Sequence, residues 1–175
     1  MKERVWSWTC CLSLVLVAGC YDSAPLPDVA PSVDLERFAG KWYEIAKLPR
    51  LTETNCTGTV ATYRLRADGD LEMKSECHVD SLDGPPKAVS AKAVVPDRTV
   101  AAKLALEIAG FYGDYWILEV GDAYEYAVVG HPSREYLWIL SRTPSLEQTT
   151  LRGVLKRAKA QHFDVDRLEY TLQAP

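Results

Sequence analysis

Between residues 41 and 141 the sequence is a train of short segments that alternate with period two, and none of them carries a helical period. Residues 59–66 place Ala61, Tyr63 and Leu65 on one face and Thr62, Arg64 and Arg66 on the other. Residues 70–78 set Leu71, Met73, Ser75 and Cys77 against Glu72, Lys74 and Glu76. Apolar-in, polar-out alternation of this kind marks strands with one buried face. Comparable segments cover 41–48, 88–95, 103–108, 115–120, 126–129 and 136–141. Their connections are short and contain no helix, which describes an antiparallel meander. A meander of eight strands removes its exposed edges by closing. The predicted fold is all-β, an eight-stranded antiparallel up-and-down β-barrel.

Matched inner faces also fix a register. A two-residue turn at Asp68-Gly69 would flip one strand of the second hairpin. A three-residue turn, Ala67-Asp68-Gly69 with Gly69 left-handed, sets Leu65 opposite Leu71 and Tyr63 opposite Met73. Cys77 then faces Thr59, three positions from Cys56. A bridge between the two cysteines requires the chain before the strand to fold back, so the register leaves bridged and free states both open. In the first strand, ended by Pro49, the alternation expects Trp42, Glu44 and Ala46 on one face and Tyr43 and Ile45 on the other.

After residue 143 the period changes. Ser145 stands as an N-cap with Gln148 at the capping-box position. Leu151, Val154, Leu155 and Ala158 then form a stripe at helical spacing. Lys156, Arg157 and Lys159 near its end read as a solvated basic face favoured by the helix dipole. Leu168, Tyr170 and Leu172 give a short final strand. The expectation is therefore a barrel with a C-terminal α-helix and one added strand, in a single domain over residues 34–175.

The N-terminus has a different character. Lys2 and Arg4 precede an apolar stretch over residues 5–18, the pattern of a secretory signal, too short for a typical span of about 20 apolar residues. It ends in Leu16-Val17-Ala18-Gly19-Cys20, which resembles the lipobox of bacterial lipoproteins. That resemblance implies removal of residues 1–19, a diacylglyceryl group on Cys20, and acylation of the new N-terminus with a chain such as palmitate. Two or more chains give stable membrane anchoring. Residues 21–33 carry Pro25, Pro27 and Pro31 without periodicity and read, with Cys20, as a lipidated linker over 20–33. Fully extended, it would reach roughly 40 Å. Of the 5 cysteines, Cys10 and Cys11 leave with the signal and Cys20 takes lipid, so Cys56 and Cys77 remain in an oxidising compartment.

The formal net charge is −4 and no basic block occurs, which argues against nucleic acid as a partner. It also argues against electrostatic adhesion to an anionic membrane. The 3 histidines, His78, His131 and His162, make no His-Glu-x-x-His spacing, and no Gly-x-Ser-x-Gly elbow is present. No metal and no cofactor is expected. Cys77 beside His78 invites a thiolate reading, but alternation puts the two on opposite faces.

An eight-stranded barrel has room for one small ligand. Its expected lining mixes small residues such as Ala61, Ala91 and Ala93 with a cavity set of Tyr63, Met73, Leu104, Leu106, Phe111, Tyr112, Tyr115, Ile117, Val129, Tyr136 and Trp138. Small residues leave volume, and aromatics give rigid walls with hydroxyl donors. The open end should be built from residues 49–56, 79–87, 109–114 and 130–135, with Phe111 and Tyr112 gating it. Arg50, His131 and Arg134 are candidates to meet an anionic group there. Glu44, on the inward face, needs a partner.

Four stretches together resemble the lipocalin family, in particular its bacterial outer-membrane members related to apolipoprotein D. They are Gly40-Lys41-Trp42-Tyr43-Glu44, Tyr112-Gly113-Asp114-Tyr115-Trp116-Ile117-Leu118, Tyr126-Ala127-Val128-Val129-Gly130 and Tyr136-Leu137-Trp138-Ile139-Leu140-Ser141-Arg142-Thr143-Pro144. The resemblance covers residues 33–173. One departure is Gly121-Asp122-Ala123, where the family's second motif usually reads Thr-Asp-Tyr. The resemblance implies that Gly40, Trp42 and Arg142 are structural, with Trp42 closing the barrel floor and Arg142 across its ring. It implies a protein that stores or transports a fatty acid or lysophospholipid in the bacterial envelope, in maintenance or stress, and the lack of catalytic motifs in the sequence argues against an enzyme. Tyr21, rather than an aspartate, follows Cys20, which favours the outer membrane with the barrel in the periplasm. A homodimer is left open. The competing readings are a scaffolding lipoprotein with a closed core and a lipocalin-fold enzyme.

Overall fold

The computed structural model describes residues 24–50 and 55–174. The expected signal sequence, with Cys10 and Cys11, and the expected lipidation site Cys20 lie outside the described residues. Strands β1 (Gly40–Lys47), β2 (Cys56–Leu65), β3 (Leu71–Val79), β4 (Pro86–Val94), β5 (Lys103–Ile108), β6 (Phe111–Val120), β7 (Tyr126–Gly130) and β8 (Leu137–Ser141) pair antiparallel in sequence order. β1 then pairs with both β8 and β2, so the sheet closes into the expected barrel. Helix α1 (Leu35–Phe38) precedes β1, helix α2 (Gln148–Ala160) follows β8, and the short β9 (Glu169–Tyr170) adds to β1. No helix among the described residues is long and apolar enough to cross a membrane.

The alternation sorts the apolar residues into two layers. Inside lie Ala61, Tyr63, Leu71, Met73, Ala91, Ala93, Leu104, Tyr115, Ile117, Ala127, Val129 and Leu140. Outside, Ile45, Ala46, Leu48, Trp116, Leu118, Val128, Leu137 and Ile139 pack against Leu151, Val154 and Ala158 of α2. A solvated strand face would need none of these outer residues. The helix is there because one side of the barrel is apolar on both faces.

Three local expectations change. In β1 a bulge between Glu44 and Ala46 shifts the pairing with β8 by one residue. The parity flips there: Ala46 joins the outer cluster and Lys47, not Ala46, turns inward with Glu44. At the fifth connection, Ile108 pairs directly with Phe111 across a two-residue turn of Ala109 (φ 50°) and Gly110 (φ 84°). Residues 111–114, expected in a loop, are therefore strand. Helix α2 begins two residues later than its sequence signal: Glu147, not Ser145, is the N-cap, its carboxylate accepting from Thr150 N at 2.9 Å.

The register of β2 and β3 is as expected from Tyr63–Met73 and Leu65–Leu71 up to Val60–Glu76, and then shifts at a bulge before Thr57. Gly58, at φ 61°, makes that bulge. A Cβ at Gly58 would sit 3.1 Å from Leu82 Cδ2, so both conformation and space ask for glycine. The extra residue brings Cys56 diagonally to Cys77, and the two form a disulfide with Cα atoms 5.5 Å apart. A bulge, rather than a folded-back chain, is how the bridge is reached. It also disposes of a Cys77 thiolate beside His78.

The described part of the proline-rich segment does not stand off the barrel. Pro27 and Ala30 are buried, and Ala30 N donates to Ile117 O at 3.0 Å. The extended spacer inferred from composition is thus shortened at its C-terminal side by packing against β6. Arg134, a candidate anion contact by sequence, instead clamps this segment, donating to Pro25 O and to Gln161 O at the end of α2.

Candidate ligand cavity

The barrel has a sealed end and an open one. At the sealed end Asp34 caps α1 by accepting from Glu36 N and Arg37 N, which drives Phe38 into the barrel. Phe38 lies against Trp42 and Tyr63, with ring centroids 5.2 and 5.1 Å away. Trp42 is fully buried and donates from Nε1 to Phe38 O at 2.8 Å. The Arg142 guanidinium lies 3.7 Å over the Trp42 ring. Its nitrogens also donate to the carbonyls of Arg37, Phe38, Ala39, Lys41 and Tyr124. The last turn of α1 has no intrahelical partners for its carbonyls, and one planar fork satisfies several at once. Gly40, at φ 99°, leaves room for that fork: a Cβ there would meet Arg142 Nη1 at 3.3 Å.

Tyr124 completes the floor although the Gly121-Asp122-Ala123 turn gave no sign of it. Its hydroxyl accepts from Asp34 N at 2.8 Å, and Arg37 stacks 4.1 Å over its ring. Beside it Asp70 holds the β2–β3 and β4–β5 turns together, accepting from Lys92 at 2.8 Å, Arg98 at 2.6 Å and Val95 N at 3.1 Å. Burial pushes that carboxyl up, but these donors outweigh it and hold it below the usual carboxylate range.

Above the floor is a cavity of about 520 Å³. Met73, Leu106, Phe111, Tyr112, Tyr115, Tyr136 and Trp138 line it, as expected. Tyr63, Leu104, Ile117 and Val129 do not. They face inward but lie in the packed layer below, with Phe38 and Trp42. Parity places a residue inside the barrel, and only its distance along the strand decides between floor and cavity. Tyr63 links the layers: its hydroxyl is hydrogen-bonded to that of Tyr115, and burial pushes its pKa well up.

One wall is an aromatic ladder. His131 meets Tyr136 edge-on, Tyr136 stacks on Trp138 at 6.2 Å, and Trp138 lies 5.4 Å from Tyr115. Arg50 sits over both Tyr136 and Trp138, at 5.0 and 5.1 Å. Around the mouth Phe111 and Tyr112 are exposed to 80% and 65%. The adjoining wall, on β1 and β2, is polar in a way that sequence reading largely missed. Glu44, Lys47 and Thr59 line the cavity and are each more than nine-tenths buried. Glu44 accepts from Thr171 Oγ1 at 2.6 Å and lies 3.6 Å from Lys47 Nζ. The buried carboxylate has the partners it needs, among them Thr171 from the C-terminal segment and Lys47, turned inward by the β1 bulge. Among the described residues no group of His, Cys, Asp or Glu is arranged to hold a metal.

The comparisons agree with this architecture. A family model described as a lipocalin-like domain matches residues 33–173. Temperature-induced lipocalin-1 of Arabidopsis thaliana is 33% identical over 154 residues, 84% of this chain and 83% of the plant protein. Outer membrane lipoprotein Blc of Escherichia coli strain K12 is 33% identical over 163 residues, 90% of each chain. Among solved structures, insecticyanin from the tobacco hornworm Manduca sexta superposes with a TM-score of 0.65 at 24% identity, over 86% of this chain and 87% of its own. That last likeness concerns the fold alone. A match to the family model over the whole barrel, with relatives a third identical along most of their length, decides the question: the chain belongs to the lipocalin family.

Proposed function

We propose that this lipocalin is a binding protein, not an enzyme, and that it holds a fatty acid or lysophospholipid in its barrel. The observation that carries the reading is the cavity of about 520 Å³, open at one end and walled by Met73, Leu106, Tyr115, Tyr136 and Trp138. Its size is typical of small-molecule sites, and its apolar walls suit an acyl chain. Each buried CH₂ favours uptake by about 0.8 kcal/mol before the loss of ligand freedom. Arg50, stacked on the aromatic ladder near the mouth, suits an anionic head group. The likeness to an outer membrane lipoprotein supports the same address here. The protein is anchored through acyl chains on Cys20, with the barrel in the periplasm, and stores or carries lipid for envelope maintenance or stress. A scaffold with a filled core is disfavoured by the cavity itself.

The test is lipid binding by purified protein, followed by Trp138 fluorescence, with mass spectrometry of co-purified lipid. Ala61 lines the cavity on β2, and Ala61→Phe should fill it. The expected result is quenching by lysolipid in the wild type and its loss in a folded Ala61→Phe variant. A protein that carries no lipid and takes up none would overturn the reading.

A further inference from the structure

Thr59 is the least explained buried group in the barrel. Its side chain lines the cavity, it is 6% exposed, and its Oγ1 has no hydrogen-bond partner among the described residues. A buried hydroxyl without a partner is destabilising, while an apolar side chain of the same shape would not be. Nearby structure makes the position more pointed. Gln173 Nε2 donates to both Glu44 O, at 2.8 Å, and Thr59 O, at 2.9 Å. The backbones of β1 and β2 are therefore within reach of one amide, and the Glu44–Lys47 pair and the Thr59 hydroxyl face the same cavity across this seam.

We propose that this wall is a polar subsite that receives a hydroxyl carried on the apolar chain of the ligand, away from its head group. The proposal rests on the lipid-binding reading above and narrows it to hydroxylated chains. Charge decides against a carboxylate at this place. Glu44 already puts a buried carboxylate into this wall, 3.6 Å from Lys47 Nζ, and a second carboxylate beside it would be both repelled and desolvated. A hydroxyl is neutral and both donates and accepts. Thr59 Oγ1 can answer in either sense. The remainder of the cavity, from Met73 to Leu106 and Trp138, accepts the hydrocarbon on either side.

The experiment compares stearate with hydroxystearate isomers bearing the hydroxyl near the carboxylate, at mid-chain and near the methyl end. Binding to the purified full chain is followed by Trp138 fluorescence. All probes share one head group and one chain length, so differences report the hydroxyl. At least one isomer should bind about three- to tenfold more tightly than stearate, the worth of one net hydrogen bond. Thr59→Val, which removes the hydroxyl and keeps the shape, should abolish the preference for the isomer over stearate when both are measured on the same variant. Isomers that never exceed stearate, or a preference that persists in Thr59→Val, would overturn the subsite and leave lipid binding standing. Failure of every probe, stearate included, would instead overturn the lipid-binding reading on which it rests.

Discussion

Arg142 shows how much of a fold can depend on one side chain. It closes the floor over Trp42 and satisfies carbonyls from α1, β1 and the β6–β7 turn. Removing it uncovers the Trp42 ring, strands several carbonyls and loses a cation–π contact. Arg142→Ala should cost about 2–4 kcal/mol of stability, measured by urea unfolding. Arg142→Lys should recover less than half of that loss, since a point charge cannot span acceptors on several elements. A lysine variant as stable as the wild type would mean that charge alone suffices. Ligand affinity should be little changed in either folded variant, because Arg142 lies below the cavity.

At the level of elements, two termini make separable predictions. Glu147 caps α2, and hydrogen bonds from the Thr149 hydroxyl and the Thr149 and Thr150 N–H groups hold its carboxyl at about 2, against an ordinary 4.5. A carboxyl depressed in the folded state stabilises fully above its unfolded value and loses that contribution as pH falls through the folded one. Stability of the wild type should therefore fall between about 4.5 and about 2 more steeply than that of Glu147→Gln, read from urea midpoints across this range. The β5–β6 turn predicts the opposite sign. Ala109 occupies a left-handed conformation before Gly110. Ala109→Asn supplies the residue that such turns favour and should gain about 0.5–1 kcal/mol.

These same elements show what was legible beforehand. Strand alternation gave the inner and outer faces because period two survives wherever pairing is regular. It misplaced Ala46 and Lys47 because a bulge leaves no mark in composition. It missed residues 111–114 of β6 because Ala109-Gly110 lacks the asparagine or aspartate that announces a two-residue turn. Ser145 has the better cap chemistry, yet its carbonyl is held in the preceding turn by the Ser141 and Thr143 hydroxyls, and Glu147 caps the helix instead. Of the residues expected at the cavity, those toward the mouth line it and Tyr63, Leu104, Ile117 and Val129 lie below it, since depth along a strand is not encoded in parity.

For the molecule as a whole, the C-terminal segment is the piece that makes the barrel continuous. β1 follows β2 only as far as Tyr43, after which β9 pairs with β1 at Ala46 and Lys47. Thr171 N donates to Ile45 O at 3.0 Å and Gly58 N to Leu172 O at 2.6 Å, so residues 169–173 bridge the divergence between the two strands. Deleting residues 169–175 should cost about 2–5 kcal/mol, the sum of a few net hydrogen bonds, and should weaken ligand binding by opening the polar wall. Unchanged affinity in the shortened chain would place the ligand elsewhere in the barrel.

That bridge also imposes an order of events. β1 leaves the ribosome among the first elements of the domain, yet its neighbours at the open end are β8 and β9, more than ninety residues later. Loop closure over such a separation must precede the contacts that reward it. A nascent chain can form the central hairpins early, but β1 stays unsatisfied at the open end until β8 and β9 have emerged. Closure of the barrel accordingly waits on β8 and β9, and a chain clipped before them is left with an open seam rather than a smaller barrel.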